Sequence, residues 1–244
     1  MYLIKLMIGS IMRYTWLDSW RGFAIILMII FHTCYDINYV KWLDLDFYHN
    51  DVWLIFRIII VSLFSYTMGI SLFFTHCKKI QIKHIKKRLL TLGGAALLIS
   101  IVTYIVFGER FIFFGILHFM ALASVVGVFF LRFGYWNIAL GGMVIIIGSF
   151  FQHTAFNTPF LQWLGMMTYK PATEDYTAFF PWFGVVLLGI YTGQYIYQYN
   201  DKSSDKVEKY TLIQRLGQHS LLIYLVHQPI IFGSILGIDY FFVK

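Results

Sequence analysis

Apolar runs of roughly 18 residues or more, each long enough to cross the about 30 Å hydrocarbon core of a bilayer, recur along this 244-residue chain. A segment in lipid finds no water for its backbone N–H and C=O groups, so such runs are expected to fold as helices packed side by side. We read seven of them, at 19–37, 52–75, 88–107, 112–131, 135–152, 178–198 and 216–240. The stretch "TPFLQWLGMMTYK" (Thr158 to Lys170) is a candidate eighth element, short enough for an amphipathic or re-entrant piece in the interface. The expected fold is all-α: a polytopic transmembrane helix bundle of about seven spans, forming a single domain over 1–244. Only 13% of residues are charged, against about 25% in soluble domains, which leaves no room for a separate soluble module.

The distribution of charge matters more than its sum. A formal net charge of +7 raises the question of nucleic acid. Much of it, however, sits in "HCKKIQIKHIKKR" (His76 to Arg88), wedged between two apolar runs. A basic loop beside membrane spans is a topology signal and a contact for anionic lipids, so membrane lipids are expected partners and nucleic acid is not. The loop before it, "DINYVKWLDLDFYHND", carries one lysine and no arginine, which suits the outer side. Lys5 and Arg13 before the first run, Arg132 after the fourth and the lysines after the sixth agree. These counts place the N-terminus in the cytoplasm and the C-terminus outside. Cys34 and Cys77 fall at opposite ends of neighbouring runs, so neither a disulfide nor a metal site is expected. The opening "MYLIKLMIGSIM" lacks a small-residue cleavage pattern and reads as an interfacial lead-in.

On that topology several titratable groups fall inside the apolar runs, where they are costly and usually mark a path or a reaction centre. His32 lies in the outer half of the first run, and Asp36, four residues on, shares its helix face. His118, in "FGILHF", lies a turn or two below the outer surface, and His227, in "LLIYLVHQPI", at middle-to-outer depth. His153 closes the fifth run on the same side. A lone histidine on a packed helix is more often a neutral hydrogen-bonding residue than a catalyst. Three at matching depth favour a shared site, and imidazole suits general-base or nucleophilic work near neutral pH. Asp36 is then placed to orient His32 as a carboxylate orients an imidazole in hydrolase triads. Arg110 and Glu109, in the short loop before His118, and Trp182, at the start of the sixth run, are candidate acceptor-binding residues. At the inner end Asp18 and Arg21 sit three apart on one turn, either pairing with each other or, with Arg13, offering charge to an anionic ligand. Pro229 falls inside the last run and is expected to kink it just beyond His227.

The segment "LDSWRGFAIILMIIFH" (Leu17 to His32) resembles the opening signature of membrane acyltransferases related to heparan-α-glucosaminide N-acetyltransferase, a D-x-x-R-G-x-A-I-x-L-M pattern. "FSYTMGISLFF", "FGILHFMALAS", "EDYTAFFPWFGVVLLGIYTG" and "LGQHSLLIYLVHQPI" are similar, in order, to later segments of short bacterial members. The resemblance covers nearly the whole chain. It implies an integral-membrane enzyme, in a bacterial inner membrane, that moves an acyl group, typically acetyl, from cytoplasmic acyl-CoA to an acceptor across the bilayer. An amino sugar or an envelope glycan is the acceptor so implied, with no metal. It matches Asp18, Arg21 and Gly22 directly and implies a catalytic histidine on the outer side. His32 and His49 compete for that role, and His32 is favoured.

Three other classes are weighed against this one. A retinal-type receptor is disfavoured because no lysine lies inside the seventh run. A transporter would show a repeat in its two halves or paired broken helices. An intramembrane hydrolase would show a G-x-S-x-G elbow, and there is none.

Overall fold

The computed structural model describes residues 14–199 and 210–243, and every regular element among them is helical. Arg13 and Lys5 lie outside the described residues. Helical segments stand at each of the seven expected places: α1 (Thr15–Tyr39), α2 (Asp51–His76), α3 (Ile82–Phe107), α4 (Ile116–Val126), α5 (Trp136–Phe150) and α6 (Trp182–Tyr199), then α7 (Leu212–Gln218) and α8 (Ser220–Ile238), which share the last place. Among the described residues four helices are long and apolar enough to cross a membrane: α1, α2, Ile82–Arg110 and Ser220–Phe241. Ile116–Phe130 and Trp136–Phe150 are shorter apolar helices. The chain is an integral membrane protein on this composition of helices.

Local chemistry sets the ends. Asn50 caps α2, its side chain accepting from the Val52 N–H at 2.9 Å, and Asp51 in the first turn suits the positive end of the helix. Gly108, at φ 59°, turns the chain out of α3 in the left-handed half of the backbone map. A Thr211–Gln214 capping box starts α7. The last run is broken: α7 stops at Gln218, His219 is non-helical, and α8 begins at Ser220. Pro229 lies inside α8, where it has no N–H for the Leu225 carbonyl. Thr158 to Lys170 forms no continuous helix. It is a loop with one 3₁₀ turn, Gln162–Leu164, strapped to the start of α6 by Phe179 N–H to Trp163 O (2.8 Å) and Phe180 N–H to Leu164 O (3.0 Å).

Two helix crossings hold the bundle. α2 and α6 run parallel and meet at Gly69 and Gly189, where each glycine lies against the other helix's backbone, and Tyr66 Oη meets Thr192 Oγ1 at 2.7 Å. Without a hydrophobic drive between lipid-soluble helices, such close backbone packing carries the association. α1 and α7 approach in the same way at Gly22 and Gly217, the latter against the Asp18 backbone. A core of Phe73, Phe119, Phe179, Phe183, Leu187 and their neighbours fills the space between α2, α4 and α6. By contrast α3 lies at the edge. It packs on α4 and, through Ala95 and Ala96, on Leu221, Tyr224 and Leu225 of α8.

Candidate functional site

The starts of α1, α3 and α8 and the end of α2 gather at one end of the bundle, the end that carries the basic 76–88 loop. A cavity of about 510 Å³ opens there. Its mouth is lined by Arg21, His84, Lys87 and Arg88, with Ser71, Thr75 and Thr91 on the walls. Arg88 and Arg21 lie close enough for their charges to repel. Arg21 has a nearby carboxylate in the buried Asp18 at 3.5 Å. The deeper lining is apolar, through Met68, Leu117 and Met120. On α2, α3, α4 and α8 the lining residues farthest from the mouth are Phe64, Leu92, Ile116 and Tyr224, and these line its far end.

Just beyond that end the structure brings together two of the three expected histidines. The rings of His32 and His227 stand 5.0 Å apart, edge to face, and the His227 ring is 5.5 Å from the ring of Tyr224. α1 and α8 run parallel here, which sets His32 beside His227 and Asp36 beside Gln228. His227 Nδ1 lies 2.6 Å from the Tyr224 carbonyl oxygen, so that nitrogen carries the proton, and its Nε2 is buried without a hydrogen-bond partner among the described residues. Neither nitrogen of His32 has a hydrogen-bond partner among them. Two imidazoles with free nitrogens on facing helices form a centre able to accept or donate a proton. Asp36 is 1% exposed; its Oδ1 accepts from Gln228 Nε2 at 2.8 Å rather than from His32, and its Oδ2 has no hydrogen-bond partner among the described residues. Its contact to α8 is thus through the amide, one turn along from the histidines.

His118 sits apart from this pair in its bonding. Its Nδ1 accepts from the Gly115 N–H at 3.2 Å, closing the first turn of α4, and its Nε2 meets Ser100 Oγ on α3 at 3.1 Å. His49 is exposed and bonded to Asp46 at 3.1 Å, on the loop between α1 and α2. Arg110 pairs with Glu174 at 2.7 Å, on the segments flanking α4 and α6; Glu109, its neighbour on a 3₁₀ turn, is exposed. Trp182 opens α6 and packs against the core. His153 caps a 3₁₀ turn through the Ala155 N–H.

Two residues that sequence reasoning passed over belong to the region. Asp175, on the loop before α6, accepts at Oδ2 from the Ile116 N–H (3.1 Å) and the Tyr224 hydroxyl (3.2 Å). Withdrawal of its carboxyl from water pushes its pKa above the usual carboxylate range, against the pull of those two donors. Arg57, on α2, acts electrostatically on Asp175 and has no carboxylate within 4 Å among the described residues. A lone arginine in "WLIFRIII" was a usable signal, since an arginine in a span needs a reason. Asp175, in a polar loop, gave none.

The arrangement is that of a membrane helix bundle with a cation-lined cavity reaching from one end toward the His32–His227 pair, a design suited to carrying an anionic ligand's reactive end into the bilayer. The profile of the heparan-alpha-glucosaminide N-acetyltransferase catalytic family matches residues 13–229, and the chain belongs to that family. No curated protein and no solved structure matches it significantly. The three cavity cations, Arg21, Lys87 and Arg88, and the histidine pair therefore stand within an acetyltransferase family domain.

Proposed function

We propose that the protein is a membrane-embedded acyltransferase that takes an acyl group, acetyl by preference, from cytoplasmic acyl-CoA and delivers it to an extracytoplasmic amino sugar or envelope glycan. The observation that carries the reading is the cavity: cations at its mouth, an apolar barrel behind them, and the His32–His227 pair one aromatic ring beyond its end. In this reading the bundle crosses a bacterial inner membrane seven times, with the N-terminus and the basic loop in the cytoplasm. That puts the mouth where acyl-CoA is and the histidines toward the outer side.

Arg21, Lys87 and Arg88 hold the phosphates of the donor, guanidinium being well matched to phosphate, with Asp18 fixing Arg21. The pantetheine arm lies along the apolar barrel with the thioester at the far end. His32 takes the proton of the attacking amine or hydroxyl. The new C–N or C–O bond forms as the C–S bond breaks, and the thiolate leaves as CoA after picking up a proton. His227 supports the oxyanion that develops on the carbonyl in its doubly protonated form, through Nε2–H, because its Nδ1 proton is already held by the Tyr224 carbonyl. Asp36 fixes the α1–α8 register through Gln228 and so holds the two rings face to edge. The bonding of His118 and Arg110 suits them to holding α4 and the outer loops in place, with Glu109 and Trp182 flanking the acceptor's approach.

The test is direct. Purified protein in lipid nanodiscs is incubated with radiolabelled acetyl-CoA and an amino-sugar or envelope-glycan fraction. Label is expected to pass to the acceptor, and His32→Ala, folded by its melting curve, is expected to lose the transfer. Native turnover in that variant removes His32 from the mechanism, and absence of any donor-dependent labelling removes the reading.

A further inference from the structure

The end of the cavity is closed by a ring, and that ring is fixed. Tyr224 is the lining residue of α8 farthest from the mouth, and the His227 ring, one turn further along the helix and outside the lining, stands 5.5 Å from its ring. The ring therefore separates the donor cavity from the histidine pair by the thickness of one side chain. It is held through its hydroxyl, which donates to Asp175 Oδ2 at 3.2 Å, while the backbone carbonyl oxygen of the same residue, 2.6 Å from His227 Nδ1, ties the histidine to this turn of α8. Asp175 is itself pinned by the Ile116 N–H at 3.1 Å. It is seated against Gly115, where any side chain would collide with its carboxylate. Ile116, the outermost lining residue of α4, is thus locked to the same carboxylate as Tyr224. Phe64 and Leu92 complete the closure from α2 and α3. A thioester held at the far end of the cavity has its acyl carbons directed at this ring and at Phe64, Leu92 and Ile116 beside it.

We propose that Tyr224, braced by Asp175, limits the acyl group the enzyme accepts to a short chain: the braced ring occupies the volume that the third and later carbons of a longer acyl group would need. The proposal rests on the donor reading of the cavity and adds to it the residue that sets chain length. Tyr224 acts by occupying space, and Asp175 is a positioning residue that acts through it.

The experiment measures binding and transfer separately. Non-reactive thioethers, S-ethyl-CoA and S-hexyl-CoA, are titrated against the full-length protein in nanodiscs, and transfer is followed with acetyl-, butyryl- and hexanoyl-CoA. The native protein is expected to favour the short member of each series. Tyr224→Ala is expected to shift the hexanoyl-to-acetyl ratio by about tenfold or more, the scale on which a pocket distinguishes methylenes. Asp175→Ala, which frees the ring, shifts it in the same direction but less. Tyr224→Phe keeps the ring but loses its hydroxyl brace, so it shifts the ratio in the same direction and no further than Asp175→Ala, whereas Asp175→Asn, whose amide oxygen still accepts from the hydroxyl, keeps the native ratio. If Tyr224→Ala does not fold, Asp175→Ala carries the test. A native protein that takes hexyl as readily as ethyl, or alanine variants with the native ratio, overturns the proposal while leaving the donor cavity standing. A native protein that binds neither thioether overturns the donor reading beneath it.

Discussion

Replacing Arg88 with methionine separates donor binding from fold. Arg88 is half-buried in the cavity wall and faces the like charge of Arg21. With no anion between them the two guanidiniums repel, so losing one does not cost the ligand-free protein stability. With a phosphate between them each makes charge-assisted hydrogen bonds worth roughly 1.5–3 kcal/mol, and losing Arg88 weakens CoA binding about 10- to 100-fold. Lys87, by contrast, is exposed at the mouth. Its contact is worth about 0.2–1 kcal/mol, at most about a fivefold change in Kd. Salt distinguishes the two further, because the Debye length falls to about 8 Å at physiological ionic strength and screens exposed charges first. Calorimetric titration of CoA into the protein in nanodiscs, at low and at physiological salt, reads both effects. Arg88→Met is expected to lose affinity at both salts with an undiminished melting temperature; Lys87→Met loses a little, and mainly at low salt. Equal losses in the two variants, or an unchanged Kd in Arg88→Met, would refute the assignment of Arg88 to the donor's phosphates.

Two further outcomes follow from packing and charge. Gly189→Ala forces a methyl group into the Tyr66 carbonyl, 3.1 Å from its carbon and 3.2 Å from Gly69 Cα, at the α2–α6 crossing. Overpacking of this kind costs about 1–3 kcal/mol, seen as a lower melting temperature in detergent, and an unchanged melt would show that the two helices can separate freely. Asp175→Asn tests the raised carboxyl. A carboxylate with a higher pKa folded than unfolded holds its proton longer in the native state, so its ionisation lowers stability as pH climbs from about 4 through the folded value. The asparagine variant escapes that loss, and its melting temperature relative to the native protein is expected to rise with pH over the window; a flat difference contradicts the assignment.

The places of the helices were legible because hydropathy and length are local quantities. The departures have physical reasons. α3 begins at Ile82 rather than 88, because lysine and arginine are good helix formers even where they spoil a hydropathy window. The last run splits at His219, where Gly217 must press against the Asp18 backbone and α7 must cross α1. Nothing in the run's composition announces a contact with a residue some two hundred positions away. The site was legible in part for the same reason. Depth along a helix can be read from sequence, and it paired His32 with His227. Azimuth cannot, and His118, at similar expected depth, turns to Ser100 and its own helix start instead. Asp36 likewise faces Gln228. Tyr224 looked like any tyrosine in an aromatic-rich chain until the cavity gave it a position.

The exposed setting of α3 has a consequence for handling the protein. This helix supplies His84, Lys87, Arg88, Thr91 and Leu92 to the cavity, yet only 6% of its most apolar stretch is buried by the rest of the chain. In a bilayer the other side of that wall faces fatty acyl tails, so lipid is expected to be a structural partner of the cavity. Harsh solubilisation strips that partner first, and loss of CoA affinity is expected to precede any loss of helicity during delipidation.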